Sequence, residues 1–464
     1  MEYTLNKVLG LRDAVIINLG AIIGAGIFVI IGLAIGRSGP AIILSILLSA
    51  FIAILTGLSF SEIARHTSKE GGVYEYGKEA FTPAAGFVGG LMWTFSNMIA
   101  ISAVALSLGQ YVDSFLSIKT PAMFFAIPAI VIFALLNIFG IKNSAKTLTA
   151  LVALNIIILV LFIMFGLTHF AISNFTNFAP NGFNGILAGS ALIFFAFTGF
   201  SRVTTIGDEV KDSEKTIPKA IVASILISAV IYIAIAVVAV GLLPYQDIAS
   251  SAAPLSAAIA VLHNPIIDLI IAFGGITATA GVVLTGILGT SRVLFAMGRD
   301  NELPGQIAKI DRYSTPQVAI VLSAIIAIVF IYFVSFSTIV EASNAAVLIA
   351  YAIINVSALV LWNRLRKEEI KTNKLIRRSY FFIIPILSVI TIAVTIAYLG
   401  YIALESSFVI FVAFSLIYLV KYGISKSGHG VSANEHVPYV SMVRLFGKSR
   451  SEFSKLVNSG RYKP

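Results

Sequence analysis

A chain of 464 residues in which 58% are hydrophobic and only 12% charged is far from a water-soluble domain, where about a quarter of the residues carry charge, and it reads as an integral membrane protein. The complete lack of cysteine excludes disulfides, thiolate metal sites and cysteine nucleophiles. The net charge of +10 follows from basic residues crowded into alternate connecting segments and a basic tail, so it calls for no nucleic-acid partner.

Apolar runs of about 20 residues, long enough to cross a ~30 Å hydrocarbon core, recur along the whole chain. Twelve are expected, at about 13–36, 40–62, 83–114, 121–140, 147–168, 184–206, 218–243, 265–294, 317–334, 338–361, 380–402 and 407–422. The first follows a short polar segment with Lys7 and Arg12 but has no small-residue cleavage site and is too long for a signal peptide. Cytoplasmic loops accumulate Lys and Arg. With the N-terminus inside, the inner segments and the adjoining inner ends of the spans hold all of the 32 Lys and Arg residues except Arg37 and Lys119. The expectation is a cell-membrane protein with both termini cytoplasmic: one membrane domain over 1–422 and a basic tail over 423–464. His429 and His436 in that tail read as solvated side chains rather than metal ligands.

Two spans are interrupted at their centres. The first carries "GAGIF" at 24–28, and the sixth carries "FFAFTGFS" at 194–201. Five spans separate their starts, and because five is odd the two segments should run antiparallel at similar depth, a pointer to an inverted repeat with a mid-membrane site. Unwound backbone in hydrocarbon survives only where protein, water or ligand pairs its polar groups. Gly24 and Gly26 lack a Cβ and would let a small molecule reach the amides of Ala25, Gly26 and Ile27 at the start of the outer half-helix, where an anionic group is favoured. Carbonyls of Ile22 and Ile23, and of the sixth span around Phe195, Ala196 and Thr198, supply the opposite sign. A carboxylate and an ammonium held a few ångströms apart describe an α-amino acid. The competing reading of the glycines is close helix packing, and that of Phe195 and Phe197 is core filler.

These segments resemble the amino acid–polyamine–organocation family of transporters. "IGAGIF" at 23–28 is similar to its first-helix pattern, and "FFAFTGF" at 194–200 with "GDEVKDSEKTIPKAI" at 207–221 to its sixth helix and following loop. "EIARHTSKEGGVYEYGKEAF" at 62–81 and "SRVLFAMGRDNELP" at 291–304 are similar to its first inner loop and the end of its eighth helix. The resemblance implies a leucine-transporter-type fold, all-α with twelve transmembrane helices. Inverted five-helix repeats would cover about 10–168 and 184–362, with broken first and sixth helices and two extra helices at 380–422. It also implies alternating access with the amino acid bound at the breaks, and no cofactor.

Departures from the family pattern bear on substrate and coupling. Members that carry cationic substrates often have an acid just after the sixth-helix glycine motif, where this chain has Ser201. A fifth-helix lysine that replaces a sodium ion in several relatives corresponds to Asn155, which cannot change charge. The eighth-helix hydroxyl pair of sodium-dependent members corresponds to Ala280 and Gly281, with Thr277, Thr279 and Thr285 nearby. Among intramembrane polar residues, Asn18, Asn97, Asn137 and Asn155 each read first as interhelical hydrogen-bond donors. Glu341, with Asn344, opens the tenth span and is the acid placed to carry a coupling proton if one is used. Arg202, with Asp208 and Glu209 following, reads as part of an inner-gate ion-pair cluster.

A secondary amino acid transporter, with a neutral amino acid as substrate, the bilayer as surroundings and a proton or sodium ion as the conceivable coupling partner, accounts for these features. A cationic amino acid or polyamine carrier or exchanger is the alternative. A membrane enzyme would need a nucleophile–base or metal constellation, whereas His66, His169 and His263 fall in separate loops. A channel would need a polar-lined pore, which spans of Ala, Ile, Leu and Val do not offer.

Overall fold

The computed structural model describes residues 7–24, 26–67, 69–116, 118, 120–332, 336–369 and 380–428. Ala25, Lys119 and the tail with His429 and His436 lie outside the described residues. In chain order the α-helices are α1 (Leu11–Ile22), α2 (Ile31–Ser38), α3 (Ile42–Ala64), α4 (Val73–Ala80), α5 (Pro83–Leu116), α6 (Met123–Ile138), α7 (Ile141–Gly166), α8 (Gly182–Ile193), α9 (Ser213–Leu242), α10 (Tyr245–Ser250), α11 (Pro254–Ile259), α12 (Pro265–Arg299), α13 (Gln317–Ile331), α14 (Phe336–Glu369), α15 (Tyr380–Ala397) and α16 (Tyr401–Gly428). Among the described residues the sole extended pairing is an isolated parallel bridge between Leu9 and Val210. An all-helical solution follows from the sequence, because a helix pairs its backbone groups within one segment and so tolerates lipid.

Eight helical stretches among the described residues are long and apolar enough to cross a membrane, beginning with Leu11–Ala64, which holds the first two expected spans. Expected spans four, nine and eleven fall on the shorter apolar helices Met123–Ile138, Gln317–Ile331 and Phe382–Ala397. Chain packing gives one unit over Met1–Ser415 and a second over Leu416–Pro464, the latter described as far as residue 428 as the end of α16.

Within the first unit, hydrogen bonds gather the connecting segments at two ends. At one end, Asn181 Nδ2 donates to Arg37 O at 2.8 Å, Ala41 N to Phe178 O at 2.7 Å and Ala171 N to Gly241 O at 2.8 Å. At the other, Lys211 N donates to Leu9 O at 2.8 Å and Thr315 Oγ1 to Ile138 O at 2.9 Å, and Lys78 pairs with Asp300. The long helices α5 and α12 pack along one another. Gly275 of α12 lies against the Tyr111 ring, Gly286 against Ile101 and Gly289 against Trp93 and Arg202. A side chain at any of these would hold the helices apart, as small-residue packing between membrane helices requires.

A crossing of two interrupted helices

The first interruption is built from a few residues. α1 ends at Ile22, and Ile23 leaves the helical region with φ −77° and ψ 89°. Ile27 N and Phe28 N then both donate to Gly24 O at 3.2 Å, and a wide π-helical turn, Gly26–Ile30, leads into α2. The sequence reading left the Ile27 amide open for a ligand. The structure corrects this, since Gly24 O already accepts it. Close approach explains the glycines: a Cβ on Gly26 would run into Ala196, and one on Gly24 into Val282 and, at 3.1 Å, Ala278 O.

The sixth expected span does not unwind at 194–201. It changes helix type instead. α8 stops at Ile193 and a 3₁₀ stretch runs from Phe194 to Glu209, with non-helical backbone at Ile206 (φ −117°, ψ 27°). The hydroxyls favour the tighter winding by closing onto carbonyls three residues back: Thr198 Oγ1 onto Phe195 O at 2.8 Å, Ser201 Oγ onto Thr198 O at 3.3 Å, Thr204 Oγ1 onto Ser201 O and Thr205 Oγ1 onto Arg202 O, both at 2.7 Å. A 3₁₀ run of this length is uncommon and marks strain or a hinge.

The two segments cross. Gly26 lies on Ala196, and Gly199 lies on the Ala21–Ile22 backbone, where a Cβ would sit 2.6 Å from Ala21 O and 2.7 Å from Ile22 N. As residue number rises in one segment it falls in the other, so they run antiparallel. Ile22, Gly26 and Ala196, all singled out from sequence, are thus brought together, with Phe195 and Thr198 on the same 3₁₀ stretch as Ala196, while Gly24 faces α12 and Ile23 and Ile27 are buried. Three tyrosines, which the sequence reading passed over, pair the backbone at this crossing. Tyr232 OH donates to Ile22 O at 2.5 Å and lies 3.3 Å from Ala196 O, bridging both interruptions. Tyr111 OH donates to Phe28 O at 2.6 Å, and Tyr351 OH to Thr198 O at 2.7 Å. Ser201 Oγ lies 2.8 Å from Tyr351 OH and accepts from Trp93 Nε1 at 3.1 Å. Tyrosine in an apolar run scores as core; the readable signal was that a buried phenol must find a partner.

Asn18 also ties the crossing together, its Nδ2 donating to Ser224 Oγ at 3.2 Å and its Oδ1 accepting Val203 N at 2.9 Å. Asn344 Nδ2 donates to Ala191 O at 2.9 Å, one turn before the switch to 3₁₀ winding. Asn155 Oδ1 accepts from Thr277 Oγ1 at 2.6 Å, pairing α7 with α12. Thr279 Oγ1 turns back to its own helix at Gly275 O, 2.7 Å away. The half-buried Glu341 sits against Gly400, between α15 and α16.

The expected ion-pair cluster exists with different arginines. Glu209 pairs with Arg292 at 3.0 Å, and Asp208 with Arg299 at 3.7 Å. Arg299 reaches Glu70 at 3.1 Å and Glu75 at 3.7 Å, and Lys78 joins Glu75, at 2.8 Å, to Asp300. Arg202 is not part of it: 3₁₀ winding turns its side chain toward α5, where the guanidinium stacks on Trp93 at 5.0 Å and Nη2 donates to Asn97 Oδ1 at 2.6 Å. Burial, with Glu209 and Asp208 close by, pushes the Glu70 carboxyl well above the usual carboxylate range, and Arg299 and Arg292 only partly offset this. Burial opposes the charges of Lys78 and Asp300 too. Glu75 and Asp300 nevertheless hold the ammonium above its ordinary value, and Lys78, Tyr74 and Arg299 hold the Asp300 carboxyl below its own.

Residues 13–436 match the amino acid permease family. The chain is 29% identical to the branched-chain amino acid permease BcaP of Bacillus subtilis over 448 residues, covering 92% of this chain and 95% of that one. It is 30% identical over 404 residues to the methylthioribose transporter of the same species (83% and 87% covered), and 28% identical over 325 to the chloroplastic cationic amino acid transporter 9 of Arabidopsis thaliana (65% and 57%). With so much of its length matched, the chain belongs to the amino acid permease family, whose members are membrane transporters and not enzymes.

Proposed function

We propose that the protein carries an amino acid with an uncharged side chain across the cell membrane by alternating access, using twelve spans in two inverted five-helix repeats and keeping both termini cytoplasmic. One observation carries the reading: Gly26 on Ala196 and Gly199 on Ala21–Ile22 bring two interrupted helices into antiparallel contact, with Tyr232 bonded to carbonyls of both. Discontinuous helices facing each other near mid-membrane are how such transporters expose backbone polarity to a substrate. The substrate carboxylate is assigned to the amide side at Gly26. Its ammonium is assigned to the carbonyls of Ile22, Ile23, Phe195, Ala196 and Thr198. Thr198 O already accepts from Tyr351 OH and Ser201 Oγ, whereas Ile22 O and Ala196 O share one tyrosine hydroxyl and keep lone pairs for an ammonium. Hydroxyls that pair these carbonyls and then yield them keep the interruption tolerable in an apolar surrounding.

A carrier for cationic amino acids, which the name of the Arabidopsis relative would suggest, fits less well. Ser201 is neutral, and the buried Arg202 beside it adds positive charge to that side of the crossing. Uptake of labelled leucine and alanine into proteoliposomes tests the reading, with arginine and lysine as competitors. Neutral amino acids should compete at least tenfold better than cationic ones; the reverse order refutes it. Gly26→Leu should abolish uptake, because even its Cβ would run into Ala196 and force the two interrupted segments apart. Retained wild-type kinetics in that variant would remove the crossing as the substrate site.

A further inference from the structure

Arg202 is 4% exposed. Of its three nitrogens, only Nη2 has a hydrogen-bond acceptor, the neutral Asn97 Oδ1 at 2.6 Å, while Nε and Nη1 are buried without one. Among the described residues every other buried arginine at this end of the bundle has a carboxylate: Arg292 has Glu209, and the half-buried Arg299 has Glu70. Arg202 has an indole face instead, Trp93 at 5.0 Å. A cation over an aromatic ring is partly compensated, but that contact uses the guanidinium face and leaves the in-plane N–H groups unsatisfied. A buried guanidinium cannot shed its proton to escape the cost of burial, so an anion must meet it. The acids nearest in sequence, Asp208 and Glu209, are committed to Arg299 and Arg292.

The guanidinium is also close to the substrate crossing. Trp93, on which it stacks, donates from Nε1 to Ser201 Oγ, and that hydroxyl meets Tyr351 OH, which in turn donates to Thr198 O. Gly289 leaves space for it against α12, since a Cβ there would meet Nη1 at 2.5 Å and Trp93 at 3.1 Å. We propose that Arg202 is the protein's half of a small-anion site beside the crossing, filled by a halide. The site does not rest on the transport reading above.

Trp93 reports on this site directly, because the chain has two tryptophans and Trp362→Phe leaves Trp93 as the sole emitter. Bromide quenches indole on contact, and a ring only 1% exposed is shielded from bulk solution. Titration of the solubilised Trp362→Phe protein with sodium bromide, at ionic strength held by gluconate, should give saturable quenching. Displacement by chloride but not by glutamate is the expected result; displacement by glutamate, with alanine as control, would overturn the halide assignment. Arg202→Met should remove the saturable phase. Quenching that stays linear and indifferent to chloride and glutamate overturns the proposal, as does an unchanged saturable phase in Arg202→Met. If that variant does not fold, the titration of the Arg202 protein decides alone. Failure of neutral amino acid uptake would sink the transport reading and leave this titration untouched.

Discussion

At the scale of single residues, the crossing is held by side chains that lend hydrogen bonds to backbone the helices no longer pair. Tyr232 touches both interruptions, its one hydroxyl within reach of Ile22 O and of Ala196 O. Tyr232→Phe keeps the ring, including its edge contact with Phe197, and removes only that donor. The expected loss is about 1–3 kcal/mol, the cost of leaving a buried acceptor unsatisfied. It should appear as a lower thermal midpoint in detergent together with slowed uptake; an unchanged midpoint would mean the bridge is not structural. Asn155 behaves differently. Asn155→Ala frees Thr277 Oγ1, which has Phe273 O and Gly274 O within its own helix as substitutes, at 3.2 and 3.1 Å. Because an amide does not titrate near neutral pH, the pH profile of uptake should keep its shape while its amplitude falls; a profile that moves would make this pair part of the coupling. Glycines, hydroxyls and the asparagine were legible in sequence because each is anomalous in an apolar helix. The tyrosines were not, because nothing in an apolar run says which phenols face a broken backbone.

At the scale of elements, the short helix α4 ties the first connecting loop to the end of α12, and its charges set how that junction answers to pH. Asp300 has a depressed folded-state pKa, so its stabilisation is full above the unfolded value of about 3.9 and is lost as pH falls through the folded value. Lys78 is raised, so its contribution is full below about 10.4 and is lost as pH climbs through the folded value. Neither titrates near neutrality. Glu70 works in the opposite sense: its carboxyl is raised by burial, so its ionisation costs the folded state more as pH rises from about 4.3 toward the folded value. Glu70→Gln keeps an acceptor for Arg299 and removes the titration. Its thermal midpoint should therefore fall less than wild type's between pH 5 and pH 7.5. Parallel curves for the two proteins would show that Glu70 is already ionised at pH 5. Sequence pointed to an ion-pair cluster on this side but assigned it Arg202, since linear proximity to Asp208 and Glu209 says nothing of the direction a 3₁₀ helix turns each side chain.

At the scale of the molecule, the hydrogen bonds that gather connecting segments into two ends agree with the alternation read from the apolar runs. Leu9, Lys78, Lys211, Asp300 and Thr315 share one end; Arg37, Phe178, Asn181 and Gly241 share the other. Basic residues crowd the first end, and because Lys and Arg are retained on the cytoplasmic side, that end should face the cytoplasm. The chain is suited to a direct test, for it contains no cysteine and any introduced thiol is unique. Asn177, exposed between α7 and α8, and Lys215, exposed near the start of α9, lie at opposite ends and outside the crossing. In intact cells a membrane-impermeant maleimide should label Asn177→Cys promptly and Lys215→Cys only after permeabilisation. The opposite pattern would invert the orientation and, with it, place the Glu70–Arg299–Asp300 junction on the outer side. Equal labelling of both from outside would be more damaging, since it would require an even number of crossings between two positions separated by the single apolar stretch Gly182–Glu209.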